Sequence, residues 1–199
     1  MTKKLILFIA TLSLASACVG NATKSTRYYI IDPIQFNDAP LTQKKDLSIE
    51  VVDLHMPQYL ERFHIASRMG ANQLKFSDSH QWAENLRKNL LRTLSRNLVE
   101  LLNTVDVATP LGRTAMQPDF RVQIYIEQFE QNVDNTVSLS ARWKLSRPGE
   151  LDHADIYAVL LNSEQQLDEG DYAAMVTVMS DLFGDLSSQI AQSILAQQG

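Results

Sequence analysis

Two stretches in the second half of the chain restrict its fold more than any other feature. Phe120, Val122, Ile124 and Ile126 alternate with Arg121, Gln123, Tyr125 and Glu127. After a polar turn at 132–135, Val137, Leu139, Ala141, Trp143 and Leu145 alternate with Ser138, Ser140, Arg142, Lys144 and Ser146. A period of two is extended chain with one apolar face, so the spacing predicts two long antiparallel strands whose inner face must be covered. The apolar parity changes between Ile126 and Phe129, which places a bulge there. Pro148-Gly149 then turns the chain into a third strand, roughly 154–161.

Two amphipathic stretches can supply the cover. In 78–102, Trp82, Leu86, Leu90, Leu94, Leu98 and Leu101 recur at helical spacing, and Ala83, Leu91 and Leu102 widen the stripe. Asp78 or Ser79 is a natural N-cap with Gln81 as capping-box partner, and Asn103 closes a helix of about six turns. A second helix starts at Asp171, with Tyr172, Met175, Met179, Leu182, Leu186, Ile190 and Ile194 as its buried stripe. Gly184 inside it costs up to ~1 kcal/mol relative to alanine, and either permits close packing or marks a bend.

The first half reads as shorter elements. Tyr28 to Ile31 is a strand stopped by Asp32-Pro33. Residues 47–54 carry apolar side chains at both parities, the mark of a central strand covered on both faces. Pro57 opens a short helical turn, and 65–69 with 73–76 form a hairpin around Gly70-Ala71-Asn72. A short strand at 105–108 leads into an exposed loop at 109–118. The fold class expected is α/β bordering on α+β: a single mixed, largely antiparallel sheet with two long amphipathic helices packed on it.

The start of the chain carries a different signal. Lys3 and Lys4 precede an apolar run of ten residues, 5–14, and Ala15, Ser16 and Ala17 lead into Cys18. Ten residues cover about half of a ~30 Å hydrocarbon core, so the run is an export signal rather than a membrane span. Cys18 is the only cysteine, so it has no partner within the chain. Leu14-Ala15-Ser16-Ala17-Cys18 resembles the lipobox of bacterial lipoproteins, with Ala15 where the commonest pattern has leucine. That resemblance implies acylation of Cys18 as the first mature residue, and Val19 after it implies sorting to the outer membrane. The domain division expected is a leader at 1–17, a lipidated tether at 18–26 and one domain at 27–199. The formal charge is −5, and it falls by two more when Lys3 and Lys4 leave with the leader. Nothing in that balance suggests nucleic acid as a partner.

Catalytic motifs are missing from the sequence. No G-x-S-x-G, G-x-G-x-x-G or Walker loop occurs, and His55, His64, His80 and His153 show no ligand spacing. Neither a metal nor a cofactor is expected. Glu127, Glu130 and Asp134 are read as solvated charges at a hairpin tip, and Trp82 and Trp143 as core. Lys88, Arg92 and Arg96, spaced by four, form a basic face partly satisfied by a Glu84–Lys88 pair. They are the candidate contact for a partner or an acidic lipid surface.

Five segments fall in a recognisable order. After the lipobox and Tyr28-Tyr29 comes Pro57-x-Tyr59-Leu60-x-Arg62-x-x-Ile65-x-x-Arg68, then Trp82-Ala83-Glu84-x-Leu86, then Gly170-Asp171-Tyr172-x-x-Met175-Val176. This order resembles the PqiC/YmbA family, the ABC-type transport auxiliary lipoproteins, over nearly all of the mature chain. The resemblance implies a non-enzymatic lipoprotein on the periplasmic face of the outer membrane. Such a protein works with an MCE-domain partner in lipid transport between membranes, as a candidate homo-oligomer. It carries over a role for Cys18 alone. Two other readings stay open on the residues: a module holding an apolar ligand between helix and sheet, and a periplasmic hydrolase with a dispersed site.

Overall fold

The computed structural model describes residues 25–36, 41, 46–112, 117–149 and 154–198. Its elements are β1 (Arg27–Tyr29), β2 (Ser48–His55), β3 (His64–Gly70), β4 (Gln73–Trp82), α1 (Leu86–Leu101), β5 (Asp106–Ala108), β6 (Phe120–Gln131), β7 (Val137–Ser146), β8 (Asp155–Asn162) and α2 (Tyr172–Ala196). One mixed sheet of eight strands carries both helices.

β6 is the axis of that sheet. β7 runs antiparallel along one edge, and β8 continues the meander. The other edge is shared: β2 pairs in parallel over Phe120 to Tyr125, and β3 meets it at Gln131. From β3 the sheet runs on through β4 to β1, and from β2 to β5. The alternation that predicted β6 and β7 puts Phe120, Val122, Ile124 and Ile126 inside with Val137, Leu139, Ala141, Trp143 and Leu145. The expected bulge is present, as a register shift between Ile126 and Gln128, and it returns Phe129 to the core. α1 lies over β2 and β5, α2 over β6, β7 and β8, and the helices touch each other. Trp143 stacks on Tyr157 and donates from Nε1 to Ser193 Oγ at 3.0 Å, while Phe129 faces Phe183.

Two expectations change, and a third point left open by the sequence is decided. β4 runs through to Trp82, and α1 begins only at Leu86 with Asn85 as its N-cap, accepting from Lys88 N at 3.2 Å. Residues 80–82 pair in parallel with β1, and Trp82 N donates to Phe63 O at 2.7 Å. Sheet pairing from a distant strand thus takes the first turn of the expected helix. Trp82 remains core, whereas Ala83 is exposed. Second, β2 is covered on one face only. A register shift between Val51 and Asp53 explains its mixed parity: Ile49, Val51 and Leu54 face inward and Val52 is 41% exposed. Third, Gly184 permits close packing. A Cβ there would overlap Ile34 Cδ1 and lie 2.6 Å from its Cγ1.

The end of α1 follows its sequence. Asn103 takes a left-handed φ of 47°, Asn103 N donates to Glu100 O, and Thr104 N donates to Val99 O at 3.2 Å. These are the two bonds of a Schellman stop with asparagine at the turn.

Candidate functional site

Cys18 lies outside the described residues. Downstream of it, the point where the folded body begins is tightly held. Ile31 N donates to Asn89 Oδ1 at 2.7 Å, Asn89 Nδ2 donates to Ile31 O at 2.9 Å, and Thr93 Oγ1 donates to the same carbonyl at 2.8 Å. Asn89 therefore acts on Ile31 as a neighbouring strand would, and fixes the segment after β1 to the buried side of α1.

A second centre joins residues far apart in sequence. Glu130, read above as solvated, is fully buried. Neighbouring strand residues point to opposite faces, so with Phe129 in the core Glu130 projects from the other side. Tyr59 and Arg68 cover it there. Glu130 Oε1 accepts from Arg68 Nε at 3.0 Å and Nη2 at 2.6 Å, and Oε2 accepts from Tyr59 Oη at 2.8 Å and Phe129 N at 3.0 Å. Burial, and then the bond to Glu130, holds the Tyr59 phenol above its usual range, while the bond to Glu130 raises the Arg68 guanidinium. Both carboxylate oxygens are saturated and the charge is matched, so this is a closed clamp between the β2–β3 connection and β6.

The other two carboxylates are not brought to it. Glu127 is exposed and pairs with Arg142 at 3.2 Å. Asp134 accepts from Thr136 Oγ1 and N in the β6–β7 turn, and these bonds lower its carboxyl below the ordinary range. Two surface clefts flank the clamp. One, of about 420 Å³, is lined by Arg68, Met69, Lys75, Asn132, Glu169 and Tyr172 among others. The second, of about 550 Å³, is an open groove along Tyr59, Arg62, Leu74 and Phe76, with the Arg62 guanidinium 4.7 Å over the Phe76 ring.

On α1, Lys88 and Arg96 are exposed, but Arg92 is committed. Its guanidinium pairs with Glu84, through Nη1 to Oε2 at 2.9 Å and Nη2 to Oε1, and these bonds chiefly lower the Glu84 carboxyl. The expected Glu84–Lys88 pair is replaced because Glu84 precedes the helix, where i, i+4 spacing does not apply. The histidines are scattered: His55 stacks on Tyr125, His64 meets Gln81, His80 lies between Tyr29 and Tyr172, and His153 falls outside the described residues. Among the described residues no group of three His, Cys, Asp or Glu side chains could hold a metal, and no helix is long and apolar enough to cross a membrane.

The family model for the ABC-type transport auxiliary lipoprotein component matches residues 29–191. The chain belongs to this family. The match begins at the last residue of β1 and ends in the last turns of α2, so the clamp, the Ile31 anchor and β2 to β8 fall inside the matched region. Among solved structures, a protein described as uncharacterized is 20% identical, with a TM-score of 0.70 and coverage of 86% of this chain and 99% of that one. Protein XCC0632 from Xanthomonas campestris is 15% identical, with a TM-score of 0.62 and coverage of 87% and 95%. At such identities both likenesses show the fold alone. No curated protein matches the sequence. As an auxiliary lipoprotein component of ABC-type transport, the chain belongs to a family that is not an enzyme class. The sequence order missed Glu130, because nothing near it marks it for burial; the available signal lay in Tyr59 and Arg68, on the other side of the contact.

Proposed function

We infer that this chain is a non-enzymatic adaptor of an MCE-type intermembrane lipid transport system, held on the periplasmic face of the outer membrane by acyl chains on Cys18. Family membership supplies the transport role, and one observation carries the anchored reading. β1 opens at Arg27, so eight residues, 19–26, separate the lipobox cysteine from the folded body. Extended, they span at most ~25–30 Å, which holds the domain close to the surface that its acyl chains enter. The Asn89 clasp on Ile31 gives that short tether a rigid point of attachment. The partners are an MCE-domain periplasmic protein and further copies of the chain. The exposed Lys88 and Arg96 on α1, beside Arg92, are the candidate contact for a partner or acidic headgroups.

The separation of Glu127, Glu130 and Asp134 and the saturation of Glu130 support a role without catalysis. Phe120, Phe129, Phe183, Leu86, Leu90 and Ile190 fill the space between helices and sheet. That filling favours the adaptor over a module storing an apolar ligand there.

Crosslinking in intact cells, affinity capture of this chain and identification of an MCE-domain protein test the adaptor role. Capture without such a protein, from membranes in which it is present, overturns that role. The Cys18→Ser variant is expected in the soluble fraction, and its retention in membranes overturns the anchor.

A further inference from the structure

Single exposed apolar side chains are ordinary on a protein surface, but three large ones converge where this chain enters its fold. Tyr28 is 64% exposed, Ile30 38% and Phe63 58%. β1 brings in the first two. Tyr29 packs inward against the core, so Tyr28 and Ile30, on either side of it, turn to the face away from the helices. Tyr28 pairs with Gln81 of β4 and Gln81 with His64 of β3, which makes one row across three strands. Phe63 immediately precedes His64, and its carbonyl accepts from Trp82 N at 2.7 Å, so its backbone is held against the end of β4. Two strand spacings of ~4.8 Å separate β1 from β3, and the three apolar side chains therefore spring from backbone within about 10–15 Å. Arg27 and Arg62 flank them, both exposed. Glu61, beside Arg62, leans instead toward Arg87, at 4.0 Å.

We propose that Tyr28, Ile30 and Phe63, flanked by Arg27 and Arg62, rest on the lipid surface that the acyl chains enter, and so fix which way the domain faces. This deepens the reading that Cys18 is acylated, and rests on it. The tether selects the bilayer as the occupant. Its last residue, 26, is followed directly by Arg27 and Tyr28, so the patch begins at the point where the membrane's pull is applied. Relaxed, eight residues have an end-to-end distance of about 15 Å, roughly half their stretched reach. The relaxed tether therefore draws this end of β1 to the headgroups before any other surface. The chemistry fits the same place. Aromatic rings settle at the membrane–water interface, and an arginine lays its stem on apolar surface while its guanidinium stays among the phosphates. Three side chains make a shallow contact, which orients an anchored domain without retaining a free one.

The test is tryptophan fluorescence of the full acylated chain in vesicles of phosphatidylethanolamine and phosphatidylglycerol, with and without phosphatidylcholine brominated on its acyl chains. Bromine quenches an indole only at close range. Native Trp82 and Trp143 lie in the core at 4% and 3% exposure, so they contribute a steady background. Tyr28→Trp and Phe63→Trp each add one ring within the patch. Val105→Trp adds one at a 92% exposed position beside Asp106, at the other end of the sheet and about 25 Å away along β6. Brominated lipid should quench the added emission of Tyr28→Trp and Phe63→Trp about threefold more than that of Val105→Trp, because the hydrocarbon lies beneath the interface where the patch sits. Phe63→Asp added to Tyr28→Trp should lower its quenching about twofold by putting a charge at the same interface. Thermal midpoints matching the parent show that the variants fold, and Ile30→Trp supplies a third position in the patch. Equal quenching at Val105, or none within the patch, overturns the proposal. Flotation with the vesicles reads the anchor separately. If the parent floats, Cys18→Ser does not, and the patch is unquenched, the patch alone fails; if the patch is quenched and Cys18→Ser still floats, the anchor alone fails.

Discussion

Replacing Arg68 by alanine should destabilise the fold by about 3 kcal/mol, the lower end of the range for breaking a buried ion pair. Glu130 is fully buried, and Arg68 supplies two of its four donors, both on Oε1, together with the only positive charge that pairs with it among the described residues. Removing the guanidinium leaves a buried carboxylate with one bare oxygen and no counter-charge. Arg68 is itself 28% exposed, so water reaches part of the vacated space, which sets the value at the lower end. With a urea m-value near 2 kcal/mol/M the midpoint should fall by about 1.5 M, and Tm by about 6–12 °C. The decisive comparison is Arg68→Met combined with Glu130→Leu, which removes both charges. Well-packed apolar replacements of buried ion pairs are often neutral, so the double variant should lie within about 2 kcal/mol of the parent and above Arg68→Ala. Tyr59→Phe should fall between, at roughly 1.5–3 kcal/mol for one bond to a charged group. An Arg68→Ala midpoint within error of the parent, or no recovery in the double variant, would refute the clamp.

Asn89→Ala strips the Ile31 N–H of its partner and leaves Thr93 alone on the carbonyl, so a loss of about 2–3 kcal/mol is expected by urea titration. Gly184→Ala gains up to ~1 kcal/mol of helix propensity but forces the whole Ile34 side chain to move, a cost of about 1–3 kcal/mol. The net should be destabilising, and a companion Ile34→Ala change should reverse its sign. Asp185 has its carboxyl raised by burial and then by Asp181 one turn away, with no basic residue anywhere in α2. Its native form holds the proton more tightly than the unfolded chain, so this group lowers stability as pH rises through the window just above the ordinary aspartate range. Asp185→Asn should therefore add about 0.2–0.5 kcal/mol at pH 7 and nothing at a pH where both states are protonated. A gain that persists in acid would refute the assignment.

The elements that the sequence shows plainly are those made by neighbours. Period two in β6 and β7, the leucine stripe of α1 and the Asp171 cap of α2 need no knowledge of the rest of the chain. The two bulges show where this runs out. A change of apolar parity at Ile126 and Phe129 and another at Val51 and Val52 look alike, yet in β2 it also fits a strand buried on both faces. The start of α1 fails for a related reason. Trp82, Leu86 and Leu90 keep helical spacing whether or not Trp82 is helical, and β1, more than fifty positions earlier, decides that it ends a strand. Glu130 was least legible of all, since its partners lie 62 and 71 positions away and its neighbours resemble a solvated turn.

The segments that make the family recognisable now have physical roles, and nearly all of them are structural. Leu60 is core, Tyr59 and Arg68 neutralise Glu130, Trp82 closes the sheet against β1, and Asp171 caps α2 by accepting from Ala174 N at 3.0 Å. A motif spent on the frame leaves partner recognition to surfaces the motif does not touch. One such surface follows from chemistry: the basic outer face of α1, whose Lys88 and Arg96 stay exposed once Glu84 has taken Arg92. It suits an acidic partner or headgroup.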